Sequence, residues 1–295
     1  MQRNWTGIAV GLSSALCALW LCATVAAQES ATSPTPPNAP KATSHPAAAA
    51  TDADEDEREV DLTVINLPTT MRLPEHRLAL RLTHRFLRGL KAGSFSDLAS
   101  DFFGLDGYAQ VGIELRFGVT KTTQFGVQRI SDRTIEPFVQ QELLRQGRAP
   151  VGIAALASLE GLNNFQRDYS PRLGLVFSRT LKGGAAFYAV PMWVGHTRLE
   201  SAASGSSSTL VLGLGTRLHV VGPVAVLGEY TPRLAGYRAT GARDHITAGF
   251  EMRVGGHCFQ LNLSNDPGTT PAALARGQQV ARDWYVGFNL SRKFF

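Results

Sequence analysis

From about His76 onward the chain sets apolar residues against polar ones or glycine with a period of two, and no other feature of the sequence constrains its fold as much. The clearest run places Ala109, Val111, Ile113, Leu115, Phe117 and Val119 between Gln110, Gly112, Glu114, Arg116 and Gly118. The same pattern returns from Ile246 to Val254, from Phe259 to Leu263 and from Trp284 to Leu290. Side chains alternate faces along a strand, so each run has one apolar face and one polar or small face. That describes an all-β chain. It leaves open whether the apolar face is hidden, as in a soluble sandwich, or turned to lipid, as in a membrane barrel.

Loop lengths separate the two. Segments near 76–88, 107–119, 123–131, 134–145, 150–160, 172–181, 185–197, 208–220, 223–231, 243–254, 257–264 and 282–294 make about twelve strands. Connections after even strands are short: 120–122, 146–149, 182–184, 221–222 and 255–256. Those after odd strands are mostly long: 89–106, 161–171, 198–207, 232–242 and 265–281, with Asp132-Arg133 the exception. Short turns at one end and long loops at the other is the outer-membrane arrangement, whereas a sandwich has no reason to sort its loops. Phe117, Phe125, Phe187, Phe259 and Phe294 fall near the short-turn end, where an aromatic girdle belongs. The expected fold is therefore a closed antiparallel transmembrane β-barrel of about twelve strands. Its long loops are expected outside the cell and both termini in the periplasm, with Ile113 and Phe250 facing lipid and Glu114 and Glu251 facing the lumen.

The first sixty residues are of another kind. Arg3, an apolar stretch from about Trp5 and the exit Val25-Ala26-Ala27 make a secretory signal peptide over residues 1–27. Residues 28–60, rich in proline and alanine and ending in the acidic run Asp52 to Glu59, have no apolar face to bury and are expected to be a disordered, solubilising periplasmic tail. The barrel is assigned to residues 61–295. Cleavage after Ala27 removes Cys17 and Cys22, leaving only Cys258, so neither an internal disulfide nor a cysteine metal cluster can form. From Asp61 onward there are 26 Lys and Arg against 17 Asp and Glu. In an exported barrel without RNA-binding or zinc-finger spacing, this excess points to lumen or anionic headgroups rather than to nucleic acid.

Several stretches resemble a family of bacterial outer-membrane β-barrels described only as a domain of unknown function. They are His84-Arg85-Phe86, Phe103-Gly104-Leu105-Asp106-Gly107, Gly255-Gly256-His257-Cys258-Phe259-Gln260-Leu261 with Asn262 and Ser264-Asn265, and Gly287-Phe288-Asn289-Leu290-Ser291-Arg292 before a terminal aromatic. The likeness runs from about Leu67 to the end. It implies a barrel and an outer-membrane address, and no activity. Trp284, Phe288, Phe294 and Phe295 resemble the C-terminal signal read by the barrel assembly machinery, although Arg292 interrupts the apolar parity and Phe295 falls on the polar one. The expected partners are outer-membrane lipid and that machinery.

No enzyme is expected. The outer-membrane phospholipase resemblance would require His-x-Ser on one strand, and none of His76, His84, His196, His219, His245 and His257 has a serine two residues on. His257 and Ser264 lie on one strand roughly 23 Å apart at about 3.3 Å per residue. The histidines are scattered, and the acidic run lacks the glycine and spacing of a calcium loop, so neither metal nor cofactor is expected. Gly213-Leu214-Gly215 lies inside a strand pattern, where glycine relieves crowding rather than cradling phosphate. Any function would sit on the polar face. The candidate lumen residues are Gln110, Glu114, Arg116, Arg217 and Glu229, with Glu251, Arg253, Gln260, Asn262 and Asn289. In a narrow barrel these charges pair and close the lumen, strands two and ten meeting across it, or they line a path for solutes. Two functions follow: a narrow or plugged pore for small polar solutes, or a structural, adhesion or receptor barrel acting through its long extracellular loops.

Overall fold

A computed structural model describes residues 61–199, 207–277 and 283–294. The expected signal peptide, acidic tail and Phe295 lie outside the described residues.

Twelve strands form the wall: β1 (Leu78–Phe86), β2 (Ala109–Gly118), β3 (Thr123–Ile130), β4 (Ile135–Leu144), β5 (Gly152–Gly161) and β6 (Arg167–Thr180). They continue as β7 (Ala185–Val194), β8 (Thr209–Val221), β9 (Val224–Thr231), β10 (His245–Val254), β11 (His257–Ser264) and β12 (Tyr285–Phe294). Arg233–Gly236 prolongs β9 along β8 beyond Pro232, which has no N–H to give the ladder. Each strand pairs antiparallel with its sequence neighbour, and β1 closes on β12 through pairs such as Leu82 with Leu290. Closure leaves no edge, so every wall strand is paired on both sides. The loop sorting has a second exception besides residues 131–134. β6 starts at Arg167, not near 172, so the connection expected at 161–171 shrinks to 162–166. Asn163 and Asn164 take left-handed φ values of 52° and 59° there, a conformation asparagine tolerates, which lets a polar stretch make a tight turn.

The wall is inverted relative to a soluble protein. On β2, Ile113, Leu115 and Phe117 are exposed, while Glu114 and Arg116 are buried. On β11, Phe259, Leu261 and Leu263 face out, while Gln260, Asn262 and Ser264 face in. Phe125, Phe187 and Phe294 are likewise exposed, near the short-turn end. An apolar belt this extensive is stable only against lipid, and the polar groups it displaces inward need partners inside.

Leu261 pairs with Phe250 on one side and Phe288 on the other, placing it amid apolar neighbours. Ile113, also outward, pairs with Arg129, an exposed residue that marks the approach to the long-loop rim. Leu261→Arg should therefore cost about 2–4 kcal/mol in unfolding titrations from lipid vesicles, and Ile113→Arg less, because a rim arginine reaches headgroups. Equal losses would mean that the belt is centred elsewhere.

Candidate functional site

The lumen is occupied by the chain itself. Residues 61–73 fall within the segment assigned to the barrel, ahead of its first expected strand, and they form no wall strand. Instead they fold into a finger inside it. Val64 N–H bonds Leu67 O at 2.8 Å and Thr69 N–H bonds Leu62 O at 3.0 Å, so the finger is a short hairpin with Ile65 and Asn66 at its tip. Both limbs enter from the short-turn end. Ser291 of β12 donates to Asp61 at 2.7 Å, the Thr70 and Ser178 hydroxyls bond, and Arg72 reaches Lys121 O and pairs with Glu142 at 3.0 Å. Leu62, Val64, Ile65, Leu67, Met71 and Leu73 are each no more than 4% exposed.

The wall grips the finger mainly by its backbone. Glu229 Oε1 accepts the N–H groups of Ile65, Asn66 and Leu67 at 2.7, 2.8 and 2.9 Å. Converging N–H groups at a tight turn form an anion-binding concavity, and here β9 supplies the anion. Gln260 donates to Val64 O at 2.6 Å, Arg81 to Ile65 O, Gln140 to Thr69 O at 2.8 Å and Gln124 to Met71 O at 3.0 Å. Gly213 and Gly215 make room for the finger: a Cβ at Gly213 would lie 2.4 Å from Leu67 Cδ2. The crowding those glycines relieve is thus between wall and finger.

The other end is closed by the loop after β11, expected as a long outer loop. Residues 266–272 turn inward and are buried, and α2 (Pro271–Arg276), capped by the Thr270 hydroxyl, lies across the lumen. Arg276 pairs with Glu160 at 2.6 Å and also donates to Ser170. The tie to Glu160 gives this otherwise solvent-seeking loop a reason to fold in. By contrast, the loop between β1 and β2 stays outside with α1 (Phe95–Ser100). There the Ser94 N–H and hydroxyl hold the Asp97 carboxyl below its ordinary pKa. Between the finger tip and α2, the space lined by Ile65, Asn66, Arg81, Arg116 and Pro271 is about 40 Å³, room for water and nothing larger.

The candidate lumen residues fall into three groups. Glu114, Arg116, Arg217, Glu229, Glu251, Gln260, Asn262 and Asn289 are buried inside the wall. Gln110 is half-buried at the long-loop rim, bonded to Asp132 at 3.0 Å. Arg253 is exposed at the short-turn mouth, in a vestibule of about 590 Å³ shared with Lys182 and His219. Strands β2 and β10 do not meet across the lumen, because the finger stands between them. Arg116 pairs with Glu114 at 2.8 Å, and Arg217 reaches over β9 to Glu251 at 2.9 Å. Gln260 also donates to Glu251, and Asn289 lies 2.8 Å from the Gln260 carbonyl oxygen. Arg85, which is fully buried, bonds the Asn262 carbonyl oxygen. On β12 Phe288 stacks on His84 at 4.7 Å and Phe294 lies beneath Arg292 at 5.2 Å; Trp284, just before the strand, is exposed.

Sequence reasoning missed Arg81, Arg85, Glu136 and Arg172; the last two pair at 3.0 Å across β5. It also missed the finger, whose signal was the short apolar run Leu62, Val64, Ile65 and Leu67 between the acidic run and β1. His245 and Ser264, 2.9 Å apart on adjacent strands, were missed as well. Both are buried, and His245 Nδ1 has no partner to orient the ring. Among the described residues no group of three or more His, Cys, Asp or Glu could hold a metal ion.

Residues 61–294 match the model of a family described as a membrane bound beta barrel domain (DUF5777). Comparison with curated proteins gives no match. Among solved structures, CdiB from Acinetobacter baumannii aligns with a TM-score of 0.34 at 8% identity, over 63% of this chain and 42% of that one. A triple mutant of the Rhodopseudomonas blastica porin aligns with a TM-score of 0.34 at 10% identity, over 63% and 55%. The chain thus spans less than two thirds of either. An outer membrane channel from Pseudomonas putida F1 aligns with a TM-score of 0.41 at 11% identity, over 76% and 98%.

Proposed function

Because this chain belongs to the DUF5777 family of membrane-bound β-barrel domains, we propose that it acts in a bacterial outer membrane as a self-plugged pore. It is closed at rest by residues 61–73 and by α2, whose Ala272 and Ala275 share the buried cluster of Leu67, so that withdrawal of the finger also unseats α2 and lets small solutes pass. The observation that carries this reading is how the finger is held. Polar side chains of the wall bond its backbone, and when it withdraws those same groups can be taken up by water. The wall that remains is rich in charge of both signs, as a hydrated passage requires. No catalytic step is assigned, since the His245 and Ser264 pair is buried and lacks an orienting acid.

Leu67→Asp tests it. The substitution drives a carboxylate into the cluster formed by Val176, Val190, Met192 and Val211, and undocking the finger is the way to hydrate it. In planar bilayers the parent protein should be silent and the variant should conduct. A variant that folds and stays silent would instead favour a structural or receptor barrel acting through its outer loops.

The proposal places the long loops outside the cell and both termini in the periplasm. An epitope inserted at Gly93, in the exposed loop between β1 and β2, should bind antibody on intact cells, and one at Gly183 should not. Gly268 is unsuitable for an outer tag, because the inward-folded loop buries it. The reverse labelling would turn the barrel over.

A further inference from the structure

The finger shows what kind of molecule the lumen wall is shaped to hold. Its two sides meet unlike surfaces. On one side Leu67 packs against Ala154 of β5, Val176 of β6, Val190 and Met192 of β7 and Val211 of β8. Val64 and Ile65 extend that contact to Tyr188 and Leu227. On the other side the finger's backbone meets Glu229, Gln260 and Arg81. The interior is therefore divided lengthwise: a sector from β5 to β8, bordered by Leu227 of β9, is apolar at mid-height, and a sector from Glu229 of β9 round to β2 is polar. A passage for sugars or ions alone has no use for buried valines, which gain nothing from water and bind no hydroxyl.

Resting on the pore reading above, we infer that the solute is an uncharged amphiphile: an alkyl or aryl body carrying a hydrogen-bonding head, about the width of the hairpin it replaces. The charges of the polar sector balance closely. Between β9 and β2 the buried Arg81, Arg85 and Arg116 stand with Glu114, Glu229 and Glu251, three of each sign, so that face recognises hydrogen-bonding groups more than net charge. Below saturation, flux through a site follows its occupancy. An apolar contact that raises occupancy then raises uptake of amphiphiles above that of sugars.

The experiment uses the full chain with Leu67→Asp, which leaves every wall residue in place. Reconstituted in liposomes, it is assayed by swelling with phenyl β-glucoside and with sucrose, each corrected for protein-free vesicles. Phenyl β-glucoside should enter about tenfold faster, the factor equivalent to ~1.4 kcal/mol of added contact. Adding Val176→Thr and Val190→Thr, which keep side-chain shape but place hydroxyls in the apolar sector, should bring its uptake down towards that of sucrose. Circular dichroism confirms that each variant is folded. Equal uptake of both solutes by the Leu67→Asp protein would overturn the inference while leaving the pore standing. A preference that survives the two threonines would overturn it as well, by placing the selectivity elsewhere. Uptake of neither solute by a folded barrel would overturn the pore and the inference together.

Discussion

Glu229→Ala should convert a closed barrel into a conducting one and expose residues 61–73 to protease. One carboxylate oxygen accepts three consecutive N–H groups in the interior. Each buried N–H deprived of its acceptor costs about 1–3 kcal/mol, and a charged acceptor lies towards the upper end. The entropy lost in ordering the finger offsets much of what its apolar side chains gain by burial, so the polar anchors set the margin. With the anchor gone, the least costly state is the one in which the finger withdraws and its N–H groups meet water. That also caps the penalty: the barrel ladder remains, and global stability should fall by less than three stranded N–H groups would require. Glu229→Gln keeps one acceptor oxygen and should be intermediate. Single-channel recording and proteolysis of vesicle-inserted protein, made together, check both consequences. An alanine variant that is silent and protected would show that Gln260, Gln140 and Gln124 suffice to hold the finger.

Arg217→Ala should have the largest effect on the barrel itself, a loss of about 3–5 kcal/mol in unfolding titrations. Arg217 and Glu251 are 3% and 1% exposed at the side chain and 2.9 Å apart, and they link β8 to β10 across the inner face of β9. Deleting the arginine leaves a buried carboxylate with Gln260 as its remaining donor among the hydrogen bonds described above. The double variant Arg217→Met with Glu251→Leu should recover most of the loss, because it removes both charges and the desolvation that each carries. If the vestibule beside the pair let water reach Glu251, the single variant would cost little and the two substitutions would add without coupling. The cycle distinguishes the two outcomes. The same measurement on Arg116→Ala should give a smaller loss, since Glu114 is its neighbour on one strand and is less deeply buried.

The wall was legible because its physics is local. Alternate side chains face opposite ways whatever the partner strand, so the outward Ile113, Leu115 and Phe117 and the inward Glu114 and Arg116 followed from their order alone. Sorting of loop lengths then supplied closure, and all twelve strands lie where the alternation puts them, the start of β6 apart. The interior was only half legible. Parity tells which residues face inward, not what they meet there, and Glu229 is the plain case: an acid on the polar face of β9 whose partner lies more than 160 residues earlier.

The sequence by itself determined the strands and their faces, which depend on neighbours two residues apart, and, through the sorting of its loop lengths, a barrel that must stand in lipid. Only the tertiary structure decided that the lumen is filled, by residues 61–73 from one end and α2 from the other. Those segments carry no period to announce them. The finger is too short to repeat a pattern, and α2 sits in a stretch whose composition suits an exposed loop. They are drawn in by groups that become neighbours only when the sheet closes: Glu229 for the finger's N–H groups, Gly213 for Leu67 and Glu160 for Arg276. Burying those acids without partners would cost more than ordering the segments that satisfy them.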